Sequence, residues 1–334
     1  MKKLGIILIA LVACSLLTYR FAPGFILDTM EKAFVLQGGF DKEVTTVDGY
    51  TTHYLDNHQT GKPLIVFLHG YMDRKEAWFP FVNAFTDDYH IIIPDLLGHG
   101  ENTRDTTLNY SFESQAAFVH GFLQDRKTPD CHLVGISMGG GVAGAYASLY
   151  SDHLLSVSFI SAAGMVGCAK RSELEKTMLT FKTLQEKRDR FPLLPLEYTD
   201  ETMKEFKRYL VHRDIFMPVQ LLREYIQLDA EERNFFTRVL ADFIDVESGK
   251  FLQPLDDKLA TISCPSQVIW GKQDMMSDAS CADVFKERLP NLKDFVLLDD
   301  CGHVAILEQP EKTELAVTNF LANNTPIELK YSED

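Results

Sequence analysis

Ser137 sits in Gly135-Ile136-Ser137-Met138-Gly139, between the apolar run 131–136 and a small-residue stretch at 139–145. A strand that enters G-x-S-x-G and leaves as a helix is the sequence form of a nucleophile elbow. The turn lifts the hydroxyl clear of the sheet at the helix N-terminus. Glycines flank the serine because its backbone is strained and its neighbours crowd the turn. A serine at its free pKa is a poor nucleophile and needs a base. Of the ten histidines, His303 is the one that follows Asp274, and it ends Cys301-Gly302-His303 just after an apolar run at 294–298. Asp274 ends Trp270-Gly271-Lys272-Gln273-Asp274, beyond another such run. A carboxylate there can accept the imidazole N–H, fix the tautomer and stabilise the imidazolium. Asp278, four residues on, is the alternative acid. Asp299 and Asp300 lie too near His303 in sequence to reach around its ring.

Acyl transfer also needs two N–H donors for the oxyanion. One is the backbone amide of Met138, the residue after the nucleophile. The other is assigned to the Tyr71 amide, in His69-Gly70-Tyr71-Met72 after the apolar run 64–68. Gly70 allows a tight turn there, and the His69 imidazole reads as a loop brace. Pro94-Asp95-Leu96-Leu97-Gly98-His99-Gly100 reads as a second tight loop with a packing role. No cofactor is expected, because the triad supplies its own nucleophile and base and no metal-ligand or phosphate-loop spacing occurs.

These residues must be carried by an ordered framework. Short apolar runs at 64–68, 90–93, 131–136, 155–161, 267–270 and 294–298 read as strands buried on both faces. Strands at 43–47 and 51–55 flank Asp48-Gly49, a hairpin turn. Helical patterns at 28–37, 77–85, 112–124, 139–150, 281–289 and 311–322 alternate with these strands. The expected fold class is α/β, a doubly wound, mostly parallel sheet. Residues 165–255 break the alternation and hold no convincing strand. There Ser172-Glu173-Leu174-Glu175 is a capping box, with Leu174, Met178, Phe181 and Leu184 on one helical face. Asp200 caps a second helix carrying Met203, Phe206 and Leu210. Pro218 starts a third, and 231–244 is a fourth. The expected organisation is a core at 40–164 and 256–323, a helical lid inserted at 165–255, and a tail at 324–334.

The 334-residue chain carries a net charge of −15. A phosphate backbone requires a basic face, so nucleic acid is excluded as a partner. The six cysteines, Cys14, Cys131, Cys168, Cys264, Cys281 and Cys301, include no C-x-x-C pair and read as mostly free, buried thiols. Residues 1–27 read as a membrane anchor or signal segment. Lys2 and Lys3 precede an apolar run that fades through Tyr19 to Arg20. A helix over this run would be about 24 Å long at about 1.5 Å per residue. That is short of a hydrocarbon core about 30 Å thick, a gap that Arg20 can close by snorkelling. Leu11-Val12-Ala13-Cys14 also resembles a bacterial lipobox, although apolar residues continue beyond Cys14, so an uncleaved anchor is preferred. In either case the positive-inside rule places the catalytic domain across the membrane from Lys2 and Lys3, outside the cytoplasm and periplasmic if the source is bacterial.

His69-Gly70, Asp95…Gly98-His99-Gly100, Gly135-x-Ser137-x-Gly139-Gly140, Gly271-x-x-Asp274 and Gly302-His303 together resemble the lid-bearing α/β-hydrolases over residues 43–322. A closer resemblance is to membrane-anchored monoacylglycerol lipases of the α/β-hydrolase-domain type and their bacterial lipase relatives. Ile269-Trp270-Gly271-Lys272-Gln273-Asp274, Asp300-Cys301-Gly302-His303 and Asp256-Asp257-Lys258-Leu259 carry it. So does the apolar N-terminus leading through Tyr19 and Pro23 into Val47-Asp48-Gly49. The resemblance implies the α/β-hydrolase fold, the order serine, acid, histidine along the chain, and hydrolysis of single-chain acylglycerols or similar lipid esters. Met178, Phe181, Phe206, Phe216, Met217, Phe235 and Phe236 are expected mainly in the lid's own core, with a few lining an acyl tunnel. Epoxide hydrolases and haloalkane dehalogenases are similar but place aspartate where Ser137 stands. The alternatives are a carbon–carbon hydrolase of aromatic-ring breakdown and a non-catalytic ligand receptor on the same fold.

Overall fold

The computed structural model describes residues 22–326 except 129, 216 and 246. The candidate anchor run and Cys14 lie outside the described residues, as does Phe216. Among the described residues no helix is long and apolar enough to cross a membrane.

Eight strands form one sheet: β1 (Asp41–Val47), β2 (Tyr50–Asp56), β3 (Leu64–Leu68), β4 (His90–Pro94), β5 (Cys131–Ile136), β6 (Leu154–Ile160), β7 (Ser266–Gly271) and β8 (Leu292–Leu298). Their spatial order is β1-β2-β4-β3-β5-β6-β7-β8. β1 and β2 pair antiparallel through the Asp48-Gly49 turn, and both turn residues have positive φ, the geometry a two-residue hairpin loop demands. β2 meets β4 antiparallel. Every pair from β4 to β8 is parallel. β3, β4, β5 and β7 are buried along their whole length, as parallel strands covered on both faces are. β8, expected to be the same, is the edge strand and is half-exposed through most of its length. In β3, Leu64, Val66 and Leu68 enter one core while Ile65 and Phe67 enter the other, as the two-residue strand period requires.

The helices are α1 (Pro23–Gly38), α2 (Phe79–Val82), α3 (Phe112–Asp125), α4 (Met138–Tyr150), α5 (Glu173–Leu179), α6 (Leu184–Asp189), α7 (Asp200–Leu210), α8 (Val219–Ile226), α9 (Ala230–Phe243), α10 (Ser280–Arg288), α11 (Ala305–Glu308) and α12 (Pro310–Asn324). α5 to α9 lie between β6 and β7 and form a helical insertion. The Ser172–Glu175 capping box is present. The stretch expected as its continuous helix is split, however: α5 ends at Leu179, and Thr183 caps a new helix through a second box with Glu186. Thr199, not Asp200, caps α7. The helix expected at 77–85 is instead a 3-10 turn, Lys75–Trp78, followed by the four-residue α2. Pro80 stands in its first turn, where a missing N–H costs nothing.

Cys168 and Cys281 are joined by a disulfide, which corrects the expectation of free thiols at these two positions. Their separation along the chain gave no local signal of pairing. Cys131, Cys264 and Cys301 are free and buried.

Candidate active site

The parallel pairing of β3, β5, β7 and β8 sends four loops to one edge of the sheet, the carboxyl end, where α/β sheets collect their sites. β5 runs into Ser137, which has φ 55° and ψ −121°, a strained conformation for a residue with a Cβ. The flanking glycines permit it. A Cβ on Gly135 would lie 2.2 Å from the Gly139 carbonyl oxygen, and one on Gly139 would lie 2.1 Å from that of Leu68. The Ser137 backbone donates to Ile160 and accepts from Ala163, so β6 braces the turn.

Asp274 and His303 are brought together from the ends of β7 and β8. The Asp274 Oδ2 accepts from the His303 Nδ1–H at 2.8 Å. Its Oδ1 accepts from the backbone N–H of Met276 and Ser277 at 2.8 and 2.9 Å. Three donors thus fix the carboxylate. The proton on Nδ1 leaves Nε2 as a bare acceptor, and that buried nitrogen has no hydrogen-bond partner among the described residues. His303 fronts the same cavity as Ser137, Met138 and Tyr71. Asp278 also fronts it, but its Oδ1 accepts from the Ser280 amide at the start of α10. Asp299 pairs with Lys272.

His69 and His99 form the floor of neighbouring loops. His69 donates from Nδ1 to the Gly70 carbonyl and accepts at Nε2 from the Leu96 amide, both at 2.9 Å. Burial pushes its pKa down to about 4. His99 donates to the Leu97 carbonyl and is pushed down to about 3 by burial. Asp95 binds the Lys75 amide and ammonium, both at 2.8 Å, and a Cβ on Gly100 would collide with its carboxylate at 2.2 Å. That loop is packing, as its sequence suggests.

The sequence model of the α/β-hydrolase fold matches residues 63–310. This chain belongs to the α/β-hydrolase fold family. It is similar to the monoacylglycerol lipase ABHD6 of Bos taurus, 32% identical over 266 residues that cover 78% of this chain and 76% of that one. It is similar to Lipase 3 of Moraxella sp. (strain TA144), 25% identical over 94% of this chain and 95% of that one. Among solved structures it resembles a membrane phospholipase A described as a bacterial virulence factor. That likeness has a TM-score of 0.80 at 25% identity and covers 97% of this chain and 99% of that one.

In this α/β-hydrolase the cavity at Ser137 is about 140 Å³ and is walled by apolar side chains of the insertion, Phe191, Leu193, Leu240, Phe243, Ile244 and Phe251. A second arm of about 250 Å³ shares Lys170, Phe191, Leu240, Ile244 and Phe251 with it and is lined further by Met178, Leu179, Arg171 and Lys250. Of the apolar insertion residues singled out on the sequence, Met178 fronts this space, whereas Phe206, Phe235 and Phe236 are buried in the core and Phe181 is buried away from it.

Sequence reasoning missed the groups that hold the histidine loop. Glu308 is buried. Its Oε1 accepts from the Gly302 amide at 2.8 Å, and its Oε2 accepts from the His212 and Arg213 amides at 2.7 and 2.8 Å. Gln273 accepts from the Cys301 amide at 3.0 Å. All of these contacts end on backbone N–H groups, and those to His212 and Arg213 cross 96 and 95 residues of sequence, so no residue pattern marks them.

Proposed function

We propose that this chain is a serine hydrolase that cleaves carboxylic esters of single-chain lipids, monoacylglycerols and medium-chain acyl esters, through an acyl-enzyme on Ser137. His303 takes the hydroxyl proton as Ser137 attacks the ester carbonyl. Asp274 holds the Nδ1–H and stabilises the imidazolium. The amides of Tyr71 and Met138 receive the oxyanion. His303 then protonates the leaving alcohol and activates water against the acyl-enzyme. The observation that carries this reading is the unengaged His303 Nε2, facing the cavity that Ser137 lines. The printed names of the relatives, monoacylglycerol lipase and lipase, support lipid esters as the substrate class.

The insertion at 165–255 acts as a lid over the core at 40–164 and 256–323. Its apolar wall is suited to one acyl chain, which favours single-chain esters over bulky triacylglycerols. The N-terminal segment, 1–27, holds the enzyme at a membrane with the hydrolase on the side away from Lys2 and Lys3; this segment ends inside α1. The Cys168–Cys281 disulfide supports an oxidising compartment for the domain, since such bonds persist outside reducing cytosol.

The test is covalent labelling with a fluorophosphonate, followed by peptide mapping and an acyl-chain-length series. The adduct is expected on Ser137 and absent from Ser137→Ala. A folded Ser137→Ala protein with near-normal ester turnover would end the assignment. A flat chain-length profile, or preference for a dienoate carbon–carbon substrate, would end the lipid-ester reading and leave the triad in place.

A further inference from the structure

We propose that Tyr225 and Asp73 are positioning residues through which the helical insertion sets the Tyr71 oxyanion donor, so that closure of the insertion and competence of the oxyanion site are one event. The proposal rests on the reading of Ser137 as nucleophile and the Tyr71 amide as donor.

The loop after β3 is short and strained. Asp73 turns back to donate its N–H to the Gly70 carbonyl at 3.3 Å, and Met72 between them has φ 60°. A non-glycine residue in that region needs support from its surroundings. The support comes from the insertion, on both sides of Met72. On one side, the Tyr71 hydroxyl donates to the Phe236 carbonyl of α9 at 2.5 Å, and the two rings meet edge to face at 5.8 Å. On the other, the Tyr225 hydroxyl of α8 donates to the Asp73 Oδ1 at 2.6 Å. The same oxygen accepts from the Arg74 amide at 2.9 Å, and the Arg74 guanidinium lies 4.4 Å from the centre of the Tyr225 ring. Two successive helices of the insertion thus grip the residues on either side of Met72 in one turn. With that grip released, the peptide of Tyr71 is free to rotate, and an oxyanion donor works only when aimed beforehand.

The groups facing Asp73 are Tyr225 from α8 and Arg74 and Glu76 from its own loop, with Glu31 of α1 acting on Arg74. Burial raises the Asp73 carboxyl to about 6. Above that pH the Tyr225 hydroxyl meets a charged acceptor, the stronger kind. Below it the acceptor is neutral and the grip weakens.

The experiment uses the full chain in detergent with a soluble butyrate ester, which leaves the acyl arm of the cavity largely unused. Tyr225→Phe should lower kcat on the order of 10- to 100-fold, less than outright loss of an oxyanion donor, with KM within about twofold. An alkyl boronic acid on Ser137 places an oxygen where the oxyanion forms. Its affinity should fall by the same factor as kcat/KM, which a merely structural role would not produce. Asp73→Asn keeps an acceptor for Tyr225 and should recover most of the pH 8 activity that Asp73→Ala loses. It should also remove one titration near pH 6 from the acid limb of kcat. Unchanged kcat and boronate affinity in folded Tyr225→Phe, or a change confined to KM, would overturn the proposal. Should Tyr225→Phe fail to fold, equal loss in Asp73→Asn and Asp73→Ala would overturn it. Fluorophosphonate labelling of Ser137 in the parent chain separates this failure from failure of the nucleophile assignment, which would remove both.

Discussion

The Leu210 carbonyl, at the end of α7, accepts from the His303 amide at 3.0 Å and from the Val304 amide at 3.2 Å. A residue of the insertion therefore holds the backbone of the candidate base. Glu308 completes the clamp from below, binding Gly302 on one side and His212 and Arg213 on the other.

Glu308→Gln should disable this clamp. A carboxylate accepts on both oxygens, whereas an amide would turn its NH₂ against an N–H donor. Leaving such a buried donor unsatisfied costs about 1–3 kcal/mol. The variant should show that loss in a denaturant titration and a fall of about tenfold or more in kcat.

The two candidate acids are separable. Asp274→Asn should lower kcat by roughly 10⁴, because the amide presents the wrong partner to Nδ1. Asp278→Asn should lower it little, since Asp278 binds the Ser280 amide and not the histidine. Steady-state rates for both variants check the assignment, and the reverse ranking would move the acid to Asp278.

Leu240 and Ile244 line both arms of the cavity. Leu240→Trp should block the passage and shorten the preferred acyl chain. Each methylene excluded from the second arm is worth about 0.8 kcal/mol, or about fourfold in kcat/KM. Rates on a series of monoacylglycerols should stop rising at a shorter chain in the variant, with short esters unaffected.

Three buried histidines make stability depend on pH. Burial lowers His69 to about 4 and His99 and His132 to about 3. In the unfolded chain each titrates near about 6.5, so between these values the unfolded state binds more protons. Stability is present in full above about 6.5 and is lost as pH falls toward the folded values. At pH 5 the loss is about 2 kcal/mol per histidine, partly offset by Asp73, whose raised pKa of about 6 acts in the opposite sense. Denaturant midpoints at pH 8, 6 and 5 should fall in that order.

Removing the Cys168–Cys281 bond by paired serine substitutions should also destabilise the fold. It closes a separation of 113 residues, for which chain entropy gives about 5 kcal/mol. Thermal unfolding with and without reductant should show the shift in the parent chain and no reductant effect in the double variant.

The strands, the elbow and the loop-bearing ends of β3, β5, β7 and β8 were legible because each is a local pattern. A doubly buried strand must be apolar throughout, and a serine at positive φ must have glycines beside it. The α5–α6 break was written as Thr183-x-x-Glu186. It was obscured because Leu174, Met178, Phe181 and Leu184 keep a helical spacing across it. The wall of the cavity was harder to read. Phe235 and Phe206 look equivalent to Phe243 and Phe191 in composition, and only packing decides which face the space over Ser137. Leu210, Tyr225 and Glu308 gave no signal, since each bonds a residue far away in the chain, two of the three through backbone amides.

The disulfide adds a further consequence. Cys168 opens the insertion, and its partner Cys281 lies on α10 and fronts the cavity beside the candidate serine. The insertion is thereby not an interchangeable cap. A chimaera that exchanges residues 165–255 with a relative would carry away one half of a covalent bond, together with the Leu210, Tyr225 and Phe236 contacts to loops left behind. Specificity in this scaffold is therefore better altered side chain by side chain along the wall than by swapping the segment as a unit.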